Sequence, residues 1–364
     1  MFDFNYFDSD FEEASEQESY PDFFYEWDES LSANQNIRFF DADELSEIIE
    51  IYLTEGEIKQ AKQTIQYALK FHPDNDNLVY DILLLLNDFE LWNDLLTLAE
   101  QYKDMPDVWA DGHKLAALMH LGMEEDAFLF FQKMKRKYEK DTESLSIIYQ
   151  AMCEALQEMD LFEASINVSN EAMALMGPHI EFYWLQLQAY LSLTQKEKAL
   201  ATMNIIQQKD PLDGETWHRL GSVYMDLDET EKAIDAFEFA ESLNYKKQSN
   251  YLGLITVYEK NGNLLKALEK AKEYLYLYPE NYMVNILAAN ICSEMGMWED
   301  ALMYIDAALD IVPDMDSLYL YKSNFFSNLG EKNKAMLALE EGIRQTNDEQ
   351  GDLKKELEKL QQQN

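Results

Sequence analysis

Small and aromatic residues recur along the chain with the period of an α-helix. In ALEKAKEYLYLYPEN, residues 267–281, Ala267 and Ala271 lie one helical turn apart, bulky aromatic residues follow them, and Pro279 closes the run. Apolar positions three to four residues apart are typical of a helix that buries one face. Because proline cannot continue a helix, this stretch predicts a helix that ends just before Pro279.

The same arrangement returns at intervals of 34 residues or twice that distance. One set of equivalent positions, which we call the alanine column, consists of Ala199, Ala233, Ala267, Ala301 and Ala335. Two further sets at these intervals are Tyr190, Tyr224 and Tyr258, and Pro211, Pro279 and Pro313. A small residue lets two helices approach closely, and glycines between the columns (Gly262, Gly296 and Gly330) indicate turns. Each interval therefore predicts two helices joined by a short turn.

This pattern resembles the tetratricopeptide repeat, in which W-x2-L-G-x2-Y is followed by A-x3-F and then by proline. One unit carries the motif as Trp217, Leu220, Gly221, Tyr224, Ala233, Phe237 and Ala240, and an earlier unit carries it as Leu45, Ile48, Tyr52, Gly56, Ala61, Ala68 and Pro73. The resemblance implies an all-α fold. It would be a right-handed superhelical solenoid of about nine tetratricopeptide-like helix-turn-helix repeats with a C-terminal capping helix.

The predicted repeats occupy residues 42–347. Their first helices are expected to begin near residues 42, 76, 108, 145, 180, 214, 248, 282 and 316. The alanine column is less regular in the three units that begin near residues 76, 108 and 145. In the first of them Leu95 replaces alanine, and in the other two the alanines are assigned as Ala127 and Ala164. Residues 348–364 predict a charged capping helix with one apolar stripe, because a terminal repeat leaves an apolar face to cover. The stripe consists of Leu353, Leu357 and Leu360.

Residues 1–41 form an acidic, aromatic-rich N-terminal segment. Residues 1–30 contain eleven Asp or Glu, ten aromatic residues and no Lys or Arg. One interpretation is a cap, in which aromatic side chains cover the first repeat. Two alternatives stay open: a flexible peptide that binds a partner, and a segment that docks in the protein's own groove. The candidate capping residues are Phe23, Phe24, Tyr25 and Trp27.

The chain as a whole is strongly acidic, with 29 Lys and Arg against 70 Asp and Glu and a formal charge of −41. Such a charge repels nucleic acid and anionic lipid, so we expect neither nucleic-acid binding nor membrane insertion. The longest apolar run, residues 82–86, is far too short to span a bilayer, and no secretory signal is visible. Cys153 and Cys292 are far apart in the sequence and are predicted to be buried thiols. We therefore predict a cytoplasmic location.

Catalytic and cofactor motifs are missing from the sequence. It has no phosphate-binding glycine loop, no H-E-x-x-H and no G-x-S-x-G, and its five histidines do not form a metal-binding pattern. We expect no catalytic residue, no cofactor and no metal site. We interpret the basic run KMKRKYEK, residues 133–140, as the charged C-terminal end of a second helix, where cations are favourable. The alternative is a docking site for an acidic segment.

The resemblance also implies where a partner would bind. The family turns certain first-helix residues toward a concave face, and the candidates here are Tyr80, Tyr149, Trp184, His218, Gln188, Asn290 and Asn324. Lys and Arg do not occur at the corresponding positions, unlike the clamp with which some members hold acidic tails.

The expected function is a non-catalytic scaffold or adaptor that binds a protein or peptide of apolar or basic character. The alternatives are a regulatory protein that is autoinhibited by its N-terminal segment and an accessory subunit of an enzyme complex. The sequence leaves the oligomeric state undetermined.

Overall fold

The computed structural model describes residues 20–33, 38–102, 108–346 and 351–362. The described residues contain twenty α-helices and no β-strand, which confirms the predicted all-α class. Residues 20–209 belong to one compact unit, called the N-terminal unit, and residues 210–362 to a second, called the C-terminal unit.

Helices account for most of each unit. The N-terminal unit contains α1 Asp22–Ala33, α2 Ala42–Thr54, α3 Ile58–Phe71, α4 Asp76–Asp88, α5 Trp92–Gln101, α6 Val108–His120, α7 Glu124–Lys137, α8 Thr142–Glu158, α9 Phe162–Met176, α10 Ile180–Ser192 and α11 Lys196–Lys209. The C-terminal unit contains α12 Gly214–Asp226, α13 Thr230–Ser242, α14 Gln248–Lys260, α15 Leu264–Leu277, α16 Tyr282–Glu294, α17 Trp298–Ile311, α18 Asp316–Asn328, α19 Lys332–Thr346 and α20 Asp352–Gln362. From α2 to α19, the even-numbered helices are the first helices of pairs and the odd-numbered ones are the second helices.

The predicted starts of the first helices agree with the structure except at one position. The fourth first helix, α8, begins at Thr142 rather than at residue 145. Asp141 explains the earlier start, because its carboxylate accepts a hydrogen bond from the backbone N–H of Ser144 at 3.2 Å. Such an N-cap satisfies a helix donor that would otherwise lack a partner.

Each first helix in the described residues ends in the same turn. The second residue after the helix has a positive φ, between 56° and 76°, at Gly56, Glu90, Gly122, Asp160, Thr194, Asp228, Gly262, Gly296 and Gly330. The next N–H donates to the carbonyl five residues earlier at 2.7–2.9 Å. Glycine suits this conformation, whereas another residue pays about 1–2 kcal/mol for it. This turn reverses the chain and places each second helix beside its first helix.

The alanine column is buried where the two helices of a pair meet. Ala199, Ala233, Ala267, Ala301 and Ala335 have no exposed surface, which agrees with the predicted close approach. In the fourth pair the assignment to Ala164 was wrong by one residue. Ala164 is half-buried, whereas Ser165 is 1% exposed and lies three residues after the start of α9, as Ala199 does in α11. The sequence search missed Ser165 because it looked for alanine, although serine is also small.

The helix α20 covers the last pair, as predicted for the C-terminal cap. Its three leucines, Leu353, Leu357 and Leu360, are buried, and the helix packs on α18 and α19. The remaining face of α20 is charged and exposed. A thin apolar stripe on a charged helix therefore serves to cover the apolar face of the terminal pair.

The helix α1 lies on the first pair of the N-terminal unit. Trp27 is 1% exposed, and its indole N–H donates to Thr64 Oγ1 at 2.8 Å. Its ring packs edge-on against Phe40 and Tyr67, at centroid distances of 5.1 and 4.7 Å. This packing is what a cap requires. Binding of the N-terminal segment to a partner and its docking in the protein's own groove stay alternatives, since residues 1–19 of the segment lie outside the described residues.

We expect Trp27→Ala to lower the free energy of unfolding by about 3–5 kcal/mol, because the change removes a large buried side chain from the face of the first pair. Tyr25→Ala is the matched control, since Tyr25 lies on the same helix and is 51% exposed. Urea unfolding followed by circular dichroism measures both. Equal effects of the two changes would contradict a capping role for α1.

We expect Ala199→Leu to cost about 1–3 kcal/mol, because the added methyl groups must fit between α11 and its partner α10. The control is Ala201→Leu, which adds the same groups at an exposed position of the same helix. Thermal melts of the two variants provide the comparison. An unchanged melt for Ala199→Leu would show that the column is not a tight helix contact.

Candidate functional site

Two of the residues proposed as partner contacts, Tyr149 and His218, are buried in the structure. Tyr149 is fully buried, packs edge-on against Phe131 and donates its hydroxyl hydrogen to Glu171 at 2.9 Å. Cys153, one turn further along α8, is also fully buried. Tyr149 therefore cannot present a surface to a partner, and its assignment as a contact is corrected.

The error at Tyr149 has the same origin as the error at Ala164. In the regular pairs, the residue of positive φ follows the start of the first helix by fourteen positions, as Gly56 follows Ala42. Counting back from Asp160 places the equivalent start at residue 146. All positions of this pair therefore move by one, and the outward residues are Gln150, which is half-buried, and Glu154, which is exposed.

His218 is the second corrected residue. It is 8% exposed, and its Nδ1 lies 3.2 Å from Asn250 Oδ1 on the neighbouring first helix. Its ring packs on Phe237 and stacks on Tyr245, at centroid distances of 5.5 and 5.4 Å. His218 therefore connects neighbouring repeats.

The other five candidates lie on first helices and have exposed surface. In the N-terminal unit, Tyr80 and Trp184 are half-buried, and Gln188 is exposed one turn after Trp184 on α10. In the C-terminal unit, Asn290 is half-buried on α16, and Asn324 is exposed at the equivalent position of α18. These side chains offer aromatic surface and amide groups, which suit contacts with a peptide.

Charge is divided between the two layers of the N-terminal unit. Its five first helices, α2, α4, α6, α8 and α10, carry twelve Asp or Glu and one Lys. Its five second helices, α3, α5, α7, α9 and α11, carry eight Asp or Glu and ten Lys or Arg. We call the outward surface of α2, α4, α6, α8 and α10 the first-helix face. Its field attracts cations and repels anions.

Two carboxylates on this face, Asp81 and Glu154, have raised pKa values. The pKa of Asp81 on α4 is raised by burial and by the negative charge of Asp43 on α2. The pKa of Glu154 on α8 is raised because neighbouring protein reduces its solvation and because Glu158 is close. A carboxylate with a raised pKa is stabilised when a positive group approaches. The ionised forms of Asp81 and Glu154 are thus disfavoured in the protein as it stands.

The basic run at residues 133–140 has a different role. It forms the last turn of α7 and the residues after it, where positive charge is favourable for the helix dipole. Lys135 pairs with Glu171, and Lys137 Nζ lies 2.6 Å from Asp111 Oδ2. These contacts agree with the prediction of a charged helix end.

Sequence reasoning missed Trp109, which is 51% exposed on α6. The residue of α6 equivalent to Tyr80 is Gly112, which is buried, and Ala116 one turn later is half-buried. Gly112 lies against α8, since a Cβ there would be 3.4 Å from Ala151 Cβ. A search of the predicted first helices for every large aromatic residue would have included Trp109.

The described part of the chain contains no group of three or more His, Cys, Asp or Glu arranged to hold a metal ion. Within the same residues, no helix combines the length and apolar character needed to cross a bilayer.

We expect Glu154→Gln to raise the melting temperature near neutral pH, because the folded protein disfavours the ionised carboxylate. The folded-state pKa of Glu154 lies above its unfolded value, so the cost exists above that pKa and disappears as pH falls through it. The gain should therefore be present at about pH 7.5 and absent at about pH 4.

Glu171→Gln provides the opposite control. Burial alone would raise the pKa of Glu171, but hydrogen bonds from Lys135 and Tyr149 lower it. A lowered pKa stabilises the fold above the unfolded pKa, and this contribution is lost as pH falls through the folded pKa. Glu171→Gln should therefore lower the melting temperature at about pH 7.5. Effects of the same sign for both variants at this pH would contradict the assignment.

Comparisons with known proteins bear on the family. The model of the tetratricopeptide repeat matches residues 214–247, which comprise α12 and α13. Here a Cβ at Gly221 would lie 2.7 Å from the ring of Phe237, so the glycine of the motif is required for close packing. No curated protein matches the sequence.

Three solved structures illustrate the similarity. The C-terminal part of a TPR repeat-containing protein from Cytophaga hutchinsonii aligns with a TM-score of 0.54 and 13% identity, over 66% of this chain and 96% of that one. PilW, a widely conserved type IV pilus biogenesis factor, aligns with a TM-score of 0.44 and 15% identity, over 58% and 98%. A tetratricopeptide repeat protein from Parabacteroides merdae aligns with a TM-score of 0.42 and 17% identity, over 74% and 98%.

The first of these structures shows a shared fold, and the repeat matched at residues 214–247 shows the family's motif in place. The helix pairs, the buried alanine column and the recurring turn extend that pattern through the described residues. The chain therefore contains a tetratricopeptide repeat at residues 214–247, and its other described helix pairs follow the same pattern.

Proposed function

We propose that the protein is a non-catalytic scaffold or adaptor that binds a protein or peptide partner on its first-helix face. Tetratricopeptide repeats generally form protein–protein interaction scaffolds. The observation that carries the proposal is the charge division in the N-terminal unit, where one helix layer is acidic and the other contains the basic residues. Such a division gives the two surfaces different binding properties.

The partner we propose is apolar or basic rather than acidic. On the first-helix face, Tyr80 and Trp184 provide aromatic surface, and the amide of Gln188 can bond to a peptide backbone. In the C-terminal unit, Asn290 and Asn324 provide amides that could make contacts of the same kind. The first helices of the N-terminal unit have one Lys and no Arg, so they provide little to hold an acidic tail. The formal charge of −41 disfavours a nucleic acid as partner.

We place this activity in the cytoplasm, a reducing compartment. Both cysteines are free and buried. Burial raises the pKa of Cys153 to about 12 and that of Cys292 to about 11, so both remain thiols at neutral pH.

The test selects peptides from a random displayed library on the full-length protein and measures the affinity of the enriched peptides by fluorescence anisotropy. We expect the double variant Trp184→Ala and Gln188→Ala to weaken binding by about tenfold or more, since it removes an aromatic anchor and an amide from α10. The matched control is Leu129→Ala with Leu175→Ala, because both leucines are exposed on second helices of the same unit. The control should bind as the parent does.

Binding that is insensitive to the α10 changes but lost on replacing Lys133 and Arg136 would assign the site to the basic run instead. Failure of the parent protein to enrich any peptide would contradict peptide binding altogether.

A further inference from the structure

An exposed apolar patch lies on α4 and α6 within the first-helix face. Trp109 on α6 is 51% exposed, and Leu84 on α4 is 36% exposed. Tyr80 precedes Leu84 by one turn, and His113 follows Trp109 by one turn, so each pair shares a side of its helix. The rings of Tyr80 and His113 have centroids 6.4 Å apart, which joins the two pairs into one surface. We call these four residues the α4–α6 patch.

Carboxylates border the patch on the neighbouring helix as well as on α4 itself. Asp81 directly follows Tyr80, and Asp43 on α2 is near enough to raise the pKa of Asp81, after the larger effect of burial. The exposed Glu47 and Glu50 extend the negative surface along α2. Neither α2 nor α4 contains Lys or Arg, so no cation on these two helices offsets this charge.

The one lysine of the five first helices points to another surface. Lys114 on α6 pairs with Glu100 on α5, and its Nζ lies 5.0 Å from the ring centroid of Phe130 on α7. The positive charge of Lys114 therefore lies beside the second helices α5 and α7. The apolar patch therefore keeps a negative border.

We propose that the α4–α6 patch docks a segment of a partner protein in which an apolar side chain stands beside a lysine or arginine. This inference rests on the proposed function and specifies its site and ligand. The apolar side chain would cover Trp109 and Leu84, and the cation would approach Asp81 and Asp43. A cation over the indole of Trp109 would gain further stabilisation from the ring face.

Charge distinguishes this occupant from the acidic segments of the chain itself. Residues 1–19 contain seven Asp or Glu and no Lys or Arg, so the border of the patch repels them. A second copy of the chain carries the same formal charge of −41. A basic partner is the occupant that removes the repulsion among the carboxylates instead of increasing it.

The test uses the same selection of displayed random peptides on the full-length protein, followed by affinity measurements for the most enriched peptide. We expect enriched peptides to carry Lys or Arg beside an apolar residue. Trp109→Ala should weaken the best peptide by about tenfold or more, as loss of an aromatic anchor does. Asp81→Asn should weaken it by about threefold and reduce its sensitivity to salt.

Two variants serve as matched controls. Phe128→Ala removes a ring that is 40% exposed on α7, and Glu163→Gln neutralises an exposed carboxylate on α9. Both residues lie on second helices of the same unit, so we expect each to change the affinity by less than about twofold. Circular dichroism confirms that all four variants fold.

Neutral or acidic enriched peptides, or a normal affinity of Trp109→Ala, would overturn the inference. If peptides are enriched and respond to Trp184→Ala but not to Trp109→Ala, the proposed function stands and this site is wrong. If the parent protein enriches no peptide, the proposed function and the inference both fail.

Discussion

The close approach of paired helices at a buried small residue is the contact on which this structure depends. The five alanines from Ala199 to Ala335 have no exposed surface, and the positive-φ turn before each second helix brings that position against the first helix. Because the pairing buries one side of each first helix, the opposite side is left for other contacts. A larger residue in the column would separate the helices and disturb the surface that they present.

That surface differs from its surroundings in charge. In the N-terminal unit the first helices are almost free of Lys and Arg, while the second helices contain ten such residues. Reduced solvation and a like-charged neighbour raise the pKa of both Asp81 and Glu154. In protein interfaces in general, charge affects the rate and selectivity of association, whereas aromatic anchors contribute most of the affinity, and Trp109 is the anchor that we propose.

The helix starts were largely predictable because Ala, Pro and Gly recur where backbone geometry demands them. The start of the fourth pair, α8 and α9, was not predictable for two reasons. Serine occupies the alanine position of this pair, and Asp141 caps α8 so that the helix begins early. Because the repeat positions of this pair were assigned one residue too early, the buried Tyr149 was counted among the predicted partner contacts. The sequence also could not show that His218 packs between repeats, because an imidazole is compatible with either environment. Side-chain exposure depends on contacts between neighbouring pairs, which periodicity alone does not specify.

Hydrogen exchange of the full-length protein, with and without a selected peptide, tests most directly whether the first-helix face binds the partner. We predict slower exchange on peptide binding in α2, α4 and α6, with α3, α5 and α7 unchanged, because the peptide covers one layer of the pairs. Protection confined to α3, α5 and α7 would contradict the account.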